Sequence, residues 1–132
     1  MTSPNLFVYG TLMRGYVHPM AKLLSANADF LGEASCRGKL YMVKHYPGLV
    51  PSDDADDIVH GELYRLREAQ AMLREFDMYE ACGEGFPEPT QYVRQMFCVT
   101  LADGSASEAW TYFYNWPVAK LTRIESGRFL RK

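Results

Sequence analysis

One glutamate of this 132-residue chain, Glu80, stands where the surrounding pattern favours an apolar side chain. From Arg67 to Glu80 apolar residues recur every three or four positions, which predicts an amphipathic helix. An ideal helix advances about 100° per residue, so Glu80 falls on the stripe of Leu73 and Phe76, whereas Glu75 projects to the opposite side. Desolvation would raise the pKa of a carboxylate in that place, which suits a general base near neutral pH. Glu80 is therefore the candidate catalytic residue.

Two structural alternatives for Glu80 remain open. The residue could follow the last helical turn and point to solvent, because helix ends are the least certain part of a sequence-based assignment. It could also form a simple salt bridge with Arg94. The sequence does not separate these alternatives from a catalytic role.

A candidate anion-binding loop lies at Tyr9-Gly10-Thr11-Leu12. Leu6 to Tyr9 is a short apolar run that predicts a buried strand, and Gly10 permits a sharp turn directly after it. Such a turn can present successive backbone N–H groups on one concave side, and Thr11 adds a hydroxyl. The loop could thus hold a substrate carboxylate through neutral donors, although an ordinary turn has the same pattern.

The remaining segments predict a mixture of strands and helices. A helix is expected from near Pro19 to Asn27, and the dipeptide Asp103-Gly104 predicts a hairpin. The strand-like segments are Ala34 to Val43, Ile58 to Leu66, Tyr92 to Leu101 and Ala106 to Tyr114. Polar turn residues, including Tyr46-Pro47-Gly48 and the acidic stretch Ser52 to Asp57, separate the first two of these segments.

Composition excludes several classes of function. Lys and Arg total 14 against 16 for Asp and Glu, a net charge of -2 that offers no strong attraction to nucleic acid. No apolar run reaches the roughly 18 residues of a membrane span, and no signal-peptide pattern is present. The length suits one domain over residues 1–132. Three cysteines without a Cys-x-x-Cys spacing favour reduced thiols, so we expect a cytoplasmic protein with no membrane partner.

Metal and thiol chemistry are not indicated. His18, His45 and His60 share no spacing typical of zinc ligands, with one another or with the cysteines. Cys82 lies two residues after Glu80 but has no neighbouring histidine to activate it. We therefore expect no metal site and no thiol nucleophile.

Several short motifs together resemble the gamma-glutamylcyclotransferase-like (avirulence-induced-gene-like) family. The resemblance is closest to the gamma-glutamylamine cyclotransferase branch and small bacterial relatives. It rests on Tyr9 to Leu12, Tyr46-Pro47-Gly48, Gly61-Glu62-Leu63-Tyr64, Asp77-Met78-Tyr79-Glu80, Tyr92-Val93-Arg94, Ala109 to Tyr114 and Ile124-Glu125-Ser126-Gly127. One departure is that Ala81-Cys82 precede Gly83, whereas many relatives have Gly directly after the glutamate.

This resemblance implies an α+β fold, a small, partly closed mixed β-barrel of about five to seven strands with flanking helices. It implies an acyltransferase or cyclising-lyase type of enzyme that works without a cofactor. The α-amine of a gamma-glutamyl group attacks its own side-chain amide, which releases 5-oxoproline and a free amine. Glu80 is implied as general acid and base, and the amides of Gly10, Thr11 and Leu12 as the clamp for the substrate α-carboxylate.

Less specific roles are implied for three other residues. Tyr9 and Tyr114 are expected to line the pocket, and Arg94 to be a substrate-binding residue or a partner of the site. We expect a small-molecule gamma-glutamyl substrate and a monomer or weak homodimer. The sequence leaves the leaving group open.

Two functions without catalysis remain as alternatives. The same loop could hold a carboxylate-bearing metabolite in a binding module that turns nothing over. The aromatic strand from Trp110 to Trp116 could also serve as an interaction surface, although core packing is the simpler explanation.

Overall fold

The computed structural model describes residues 3–10, 12–13, 18–82 and 85–129. Within these ranges the chain forms two helices and seven strands. In order they are β1 (Asn5–Val8), α1 (Pro19–Asn27), β2 (Ala28–Met42), β3 (Pro47–Pro51), β4 (Ile58–Leu66), α2 (Ala69–Tyr79), β5 (Tyr92–Leu101), β6 (Ala106–Tyr114) and β7 (Thr122–Arg123). Neither helix in these ranges is long and apolar enough to cross a membrane.

Five strands close into a mixed barrel. β1 pairs with β4 antiparallel and with β6 parallel, β4 continues to β2, and β6 continues to β5. The pairing of Ala34 and Ser35 in β2 with Leu101 and Thr100 in β5 closes the ring. β3 and β7 add to the sheet by pairing with β2. The predicted α+β fold with a small mixed barrel and two helices is confirmed.

Alternate residues of the strands face two different apolar clusters. In β1, Phe7 packs in a cluster built from strand residues, whereas Leu6 and Val8 pack in a cluster that includes both helices. This alternation follows from the two-residue period of a strand. The buried residues Met72, Leu73 and Phe76 of α2 pack in the same cluster as Leu6 and Val8. The packing fixes the end of α2 against the barrel.

The start of α1 matches its sequence signals. Pro19 occupies the first helical turn, where a missing N–H is tolerated. The side chain of His18 caps the helix, because its Nδ1 accepts a hydrogen bond from the Met20 N–H at 3.1 Å. This contact fixes the orientation of the imidazole ring.

The segment containing Pro47 and Gly48 is a strand, which differs from the turn that the sequence suggested. β3 lies at the edge of the sheet, where β2 is its one pairing partner among the described strands. Pro47 is its first residue, where the missing N–H is acceptable. A Cβ atom on Gly48 would lie 2.8 Å from the Cβ of Tyr114, so glycine permits the packing of β3 on β6. Both residues thus have a role in a strand rather than in a turn.

Candidate active site

A cavity of about 300 Å³ lies where β1 ends, beside the last turn of α2. We call it the Glu80 cavity. Its lining residues are Phe7, Val8, Tyr9, Gly10, Leu12, His18, His45, Tyr46, Pro47, Tyr79, Glu80, Ala81, Gln91, Tyr92 and Tyr112. Glu80 is the only carboxylate among these described residues. A volume of this size accommodates a small metabolite.

The end of α2 positions Glu80. Glu80 is the C-cap residue, and its backbone N–H still donates to the Phe76 carbonyl oxygen at 2.9 Å. Ala81 follows with a φ of +54°, and the chain closes the helix with hydrogen bonds from Ala81 N–H to Met78 O and from Cys82 N–H to Asp77 O. This is a Schellman ending, in which glycine is the usual left-handed residue. Glu80 therefore lies one residue beyond the helix, but its side chain lines the cavity.

The surroundings of Glu80 favour its neutral form. The side chain is partly buried, and no side chain in the described part of the structure forms a hydrogen bond with its carboxylate. Burial, followed by the charge of Asp77, raises its pKa from an ordinary value of 4.5 to about 7. A carboxyl group with this pKa can accept and return a proton near neutral pH.

Three tyrosine hydroxyls around the cavity already donate to fixed acceptors. The Tyr9 hydroxyl donates to the Tyr112 carbonyl oxygen, Tyr92 donates to the Pro47 carbonyl oxygen at 2.7 Å, and Tyr112 donates to Asp77 Oδ1 at 2.7 Å. Burial is the main cause that raises the pKa of all three tyrosines. The charge of Glu80 adds to the rise for Tyr9, and the hydrogen bond to Asp77 adds to it for Tyr112. They are consequently neutral hydroxyls. The Tyr9 oxygen also interacts with the Leu49 backbone N–H, which leaves it one lone pair for a further donor.

Gly10 and Leu12 line the same cavity as Glu80, and Tyr9 joins them. The Met13 N–H donates to the Gly10 carbonyl oxygen at 3.1 Å, which closes a turn after β1. A Cβ atom on Gly10 would lie 2.8 Å from Cγ of the Pro47 ring, so a larger residue would push the loop and the ring apart. The fourth residue of the predicted loop, Thr11, lies outside the described residues.

Arg94 does not line the Glu80 cavity. Its Nε donates to Asp77 Oδ1 at 2.7 Å and its Nη2 donates to Asp77 Oδ2 at 3.0 Å. The salt bridge between Arg94 and Glu80, which the sequence left open, is therefore replaced by one with Asp77. The cause is strand geometry, because Arg94 faces the same side of β5 as Tyr92 but two residues further along, beneath α2.

Tyr114 also stands outside the cavity lining. Its ring packs edge-on against Tyr92, with the ring centroids 5.6 Å apart, so it supports a lining residue from behind. Tyr92, Tyr112 and Asp77 belong to the family motifs of the sequence but were not predicted as site residues. The hairpin turn at Asp103-Gly104 sets the register of β5 and β6, with Tyr92 opposite Tyr114 and Arg94 opposite Tyr112. This register could have indicated that Tyr92 and Tyr112 lie close to the predicted site residues Tyr114 and Arg94. Within the described ranges, no group of three or more His, Cys, Asp or Glu side chains is arranged to hold a metal ion.

Comparison with known proteins places these features in a family context. A family model described as "Gamma-glutamyl cyclotransferase, AIG2-like" matches residues 6–131. Gamma-glutamylcyclotransferase family protein ytfP from Citrobacter rodentium is 40% identical over 128 residues, which is 95% of this chain and 94% of that protein. The solution NMR structure of ytfP from Escherichia coli is 36% identical, has a TM-score of 0.63 and is matched over 96% of each chain. Gamma-L-glutamyl-butirosin B gamma-glutamyl cyclotransferase from Niallia circulans is 32% identical over 117 residues, 85% of this chain and 67% of that protein.

Proposed function

We propose that this chain, which belongs to the gamma-glutamyl cyclotransferase, AIG2-like family, cyclises a gamma-glutamyl amide to 5-oxoproline and releases a free amine. The observation that carries the proposal is the position of Glu80. A partly buried carboxylate with a pKa of about 7 lines the same small cavity as Gly10 and Leu12. The name of the Niallia circulans relative supports this reaction type, because that protein is named for a gamma-glutamyl substrate.

The reaction requires one group that moves protons. The α-amine of the substrate is protonated in water and must lose a proton before its nitrogen can attack the gamma-carbonyl carbon. Attack forms a C–N bond within a five-membered ring, and the bond from the same carbon to the departing nitrogen then breaks. Glu80 accepts the proton from the α-amine and delivers a proton to the departing amine. A pKa of about 7 suits both steps at neutral pH.

The loop after β1 is proposed to hold the substrate. Backbone N–H groups of Gly10, Thr11 and Leu12 bind the α-carboxylate, which keeps the α-amine close to Glu80. The Tyr9 oxygen can act as an acceptor, because its hydroxyl proton is directed to a carbonyl oxygen of β6. Tyr9 lies close enough to Glu80 for the two groups to interact electrostatically. It can accept a hydrogen bond from the α-amine as the nitrogen turns toward the carbonyl carbon. Orientation of this kind lowers the barrier to ring closure.

The experiment that tests this proposal uses a panel of gamma-glutamyl amino acids and gamma-glutamyl amines. Each compound is incubated with the full chain, and 5-oxoproline is detected by mass. We expect release of 5-oxoproline and of the matching amine in equal amounts from at least one member of the panel. Saturable binding without release from any member would instead assign the chain as a carboxylate-binding module.

A further inference from the structure

Asp77 is the centre of a set of contacts that joins α2 to two strands of the barrel. Its carboxylate accepts both hydrogen bonds of the Arg94 guanidinium, from β5, and the hydroxyl of Tyr112, from β6. The thiol of Cys82 donates to the same carboxylate at 3.6 Å. The guanidinium carbon of Arg94 lies 4.3 Å from the ring centroid of Trp110, so a cation–π contact covers one face of the guanidinium while its edge binds Asp77.

We infer that Asp77 and Arg94 form a positioning pair that fixes the end of α2 and sets the electrostatic environment of Glu80. This inference deepens the proposed function, and its test by enzyme activity rests on that function. Neither residue lines the Glu80 cavity, so neither touches the substrate there. Both act through Glu80.

The Asp77–Arg94 pair fixes the end of α2 in place. Asp77 is three residues before Glu80, and its backbone carbonyl oxygen accepts the Cys82 N–H that closes the helix. Its side chain is tied to adjacent strands through Arg94 and Tyr112, which are directly opposite each other in the β5–β6 register. A bidentate pair of this type fixes direction as well as distance. The turn that carries Glu80 is therefore held by its backbone on one side and by the barrel on the other.

The Asp77–Arg94 pair also affects the ionisation of Glu80. The negative charge of Asp77 disfavours ionisation of Glu80. The Arg94 guanidinium is hydrogen-bonded to both oxygens of the Asp77 carboxylate, so its positive charge offsets part of that effect. The other titratable groups around Glu80 are tyrosine hydroxyls, a thiol with a pKa raised to about 12, and two imidazoles. By element they are Tyr9 directly after β1, His18 at the start of α1, His45 and Tyr46 before β3, Tyr79 at the end of α2, Cys82 after α2, Tyr92 on β5 and Tyr112 on β6. Asp77, in its salt bridge with Arg94, is thus the carboxylate whose charge acts on Glu80 within the described residues.

Opposite changes in the pair should move the pKa of Glu80 in opposite directions. Arg94→Met leaves the charge of Asp77 uncompensated, so the pKa of Glu80 rises. Asp77→Asn removes the repelling charge and leaves a cation nearby, so the pKa falls. We expect a displacement of at least about half a pH unit in each case. The double variant removes both charges, and its Glu80 pKa should fall below that of the wild type.

The test measures the Glu80 pKa in the full chain without substrate, from the pH dependence of its ¹³C side-chain carboxyl resonance. Arg74→Met is the control, since Arg74 is an exposed residue of the same helix and should leave the resonance unchanged. Removing one member of a partly buried ion pair is often strongly destabilising, whereas removing both is often tolerated. The double variant therefore serves if a single variant does not fold. A Glu80 pKa equal to that of the wild type in the folded double variant overturns the inference.

Activity provides a second readout. In the Arg94→Met variant the pH midpoint of kcat/KM should move upward together with the Glu80 pKa, and Arg94→Lys should restore most of the difference. A lower rate at an unchanged pH midpoint would show a merely structural role and would overturn the inference. If the wild type releases no 5-oxoproline at all, the proposed function fails, but the carboxyl titration still tests the pair.

Discussion

Replacing Glu80 with glutamine should change how the stability of the protein depends on pH. The amide keeps the size of the side chain but cannot ionise. Burial and the charge of Asp77 raise the Glu80 pKa from 4.5 to about 7. Each pKa unit is worth about 1.4 kcal/mol, so the upper bound of the effect is about 3.5 kcal/mol. Because the side chain retains some contact with solvent, we expect about 2 kcal/mol.

The direction follows from which state releases its proton first. Below pH 4.5 Glu80 is protonated in both the folded and the unfolded chain, and the raised pKa contributes its full stability. Between pH 4.5 and about 7 the unfolded chain ionises while the folded chain does not, so the wild type loses stability as the pH rises. The Glu80→Gln variant has no such loss. Relative to the wild type it should therefore become more stable by about 2 kcal/mol between pH 4.5 and pH 8.

Urea unfolding of both proteins at several pH values between 4.5 and 8 measures this difference directly. All other titrating groups are shared, so they cancel when the two free energies of unfolding are subtracted. Glu75→Gln is the matched control, because Glu75 is an exposed residue of the same helix and its curve should run parallel to that of the wild type. Parallel curves for Glu80→Gln and the wild type would refute the raised pKa and with it the argument for a general base.

Three further predictions concern the walls of the cavity. Ala81→Gly should raise the free energy of unfolding, measured by heat or urea, by about 1 kcal/mol, because Ala81 has a φ of +54° and glycine adopts this conformation without strain. A loss of stability would contradict the Schellman ending. Gly10→Ala should lower the free energy of unfolding by about 1 to 3 kcal/mol and raise KM, because the added Cβ would lie 2.8 Å from the rigid Pro47 ring. An unchanged KM in kinetic assays would show that the loop does not bind the substrate. In crystals grown with a small carboxylate, the ligand should lie within hydrogen-bond distance of the backbone amides of the Gly10 to Leu12 loop. A ligand bound elsewhere, with the loop empty, would rule out the proposed clamp.

Sequence patterns predicted the elements whose periodicity is strong. The α1 bounds and the β5–β6 hairpin agree with expectation, because a proline start and an Asp-Gly turn act locally. β3 was not predicted, since Pro47 and Gly48 favour a turn when only neighbouring residues are considered. Their role in a strand depends on the sheet edge and on the ring of Tyr114, which are tertiary features.

The candidate site was predictable to a similar degree. The family resemblance implied that Glu80 and the loop at Gly10 contact the same substrate, and Glu80, Gly10 and Leu12 line one cavity. The partner of Arg94 was not predictable. Asp77 and Glu80 are three residues apart and share one face of a helix, so periodicity alone does not decide which carboxylate lies over β5. The packing of α2 on the barrel decides it, and the pair formed with Asp77 leaves Glu80 unpaired within the described residues.

The central claim is that Glu80 moves the proton in a cyclisation that releases 5-oxoproline. The most direct measurement compares 5-oxoproline release by the wild type, Glu80→Gln and Glu75→Gln, on the gamma-glutamyl compound that the wild type turns over best. We expect Glu80→Gln to lose at least about 100-fold in rate while it still binds the compound, and Glu75→Gln to remain close to the wild type. A Glu80→Gln variant that releases 5-oxoproline at the wild-type rate would contradict the account.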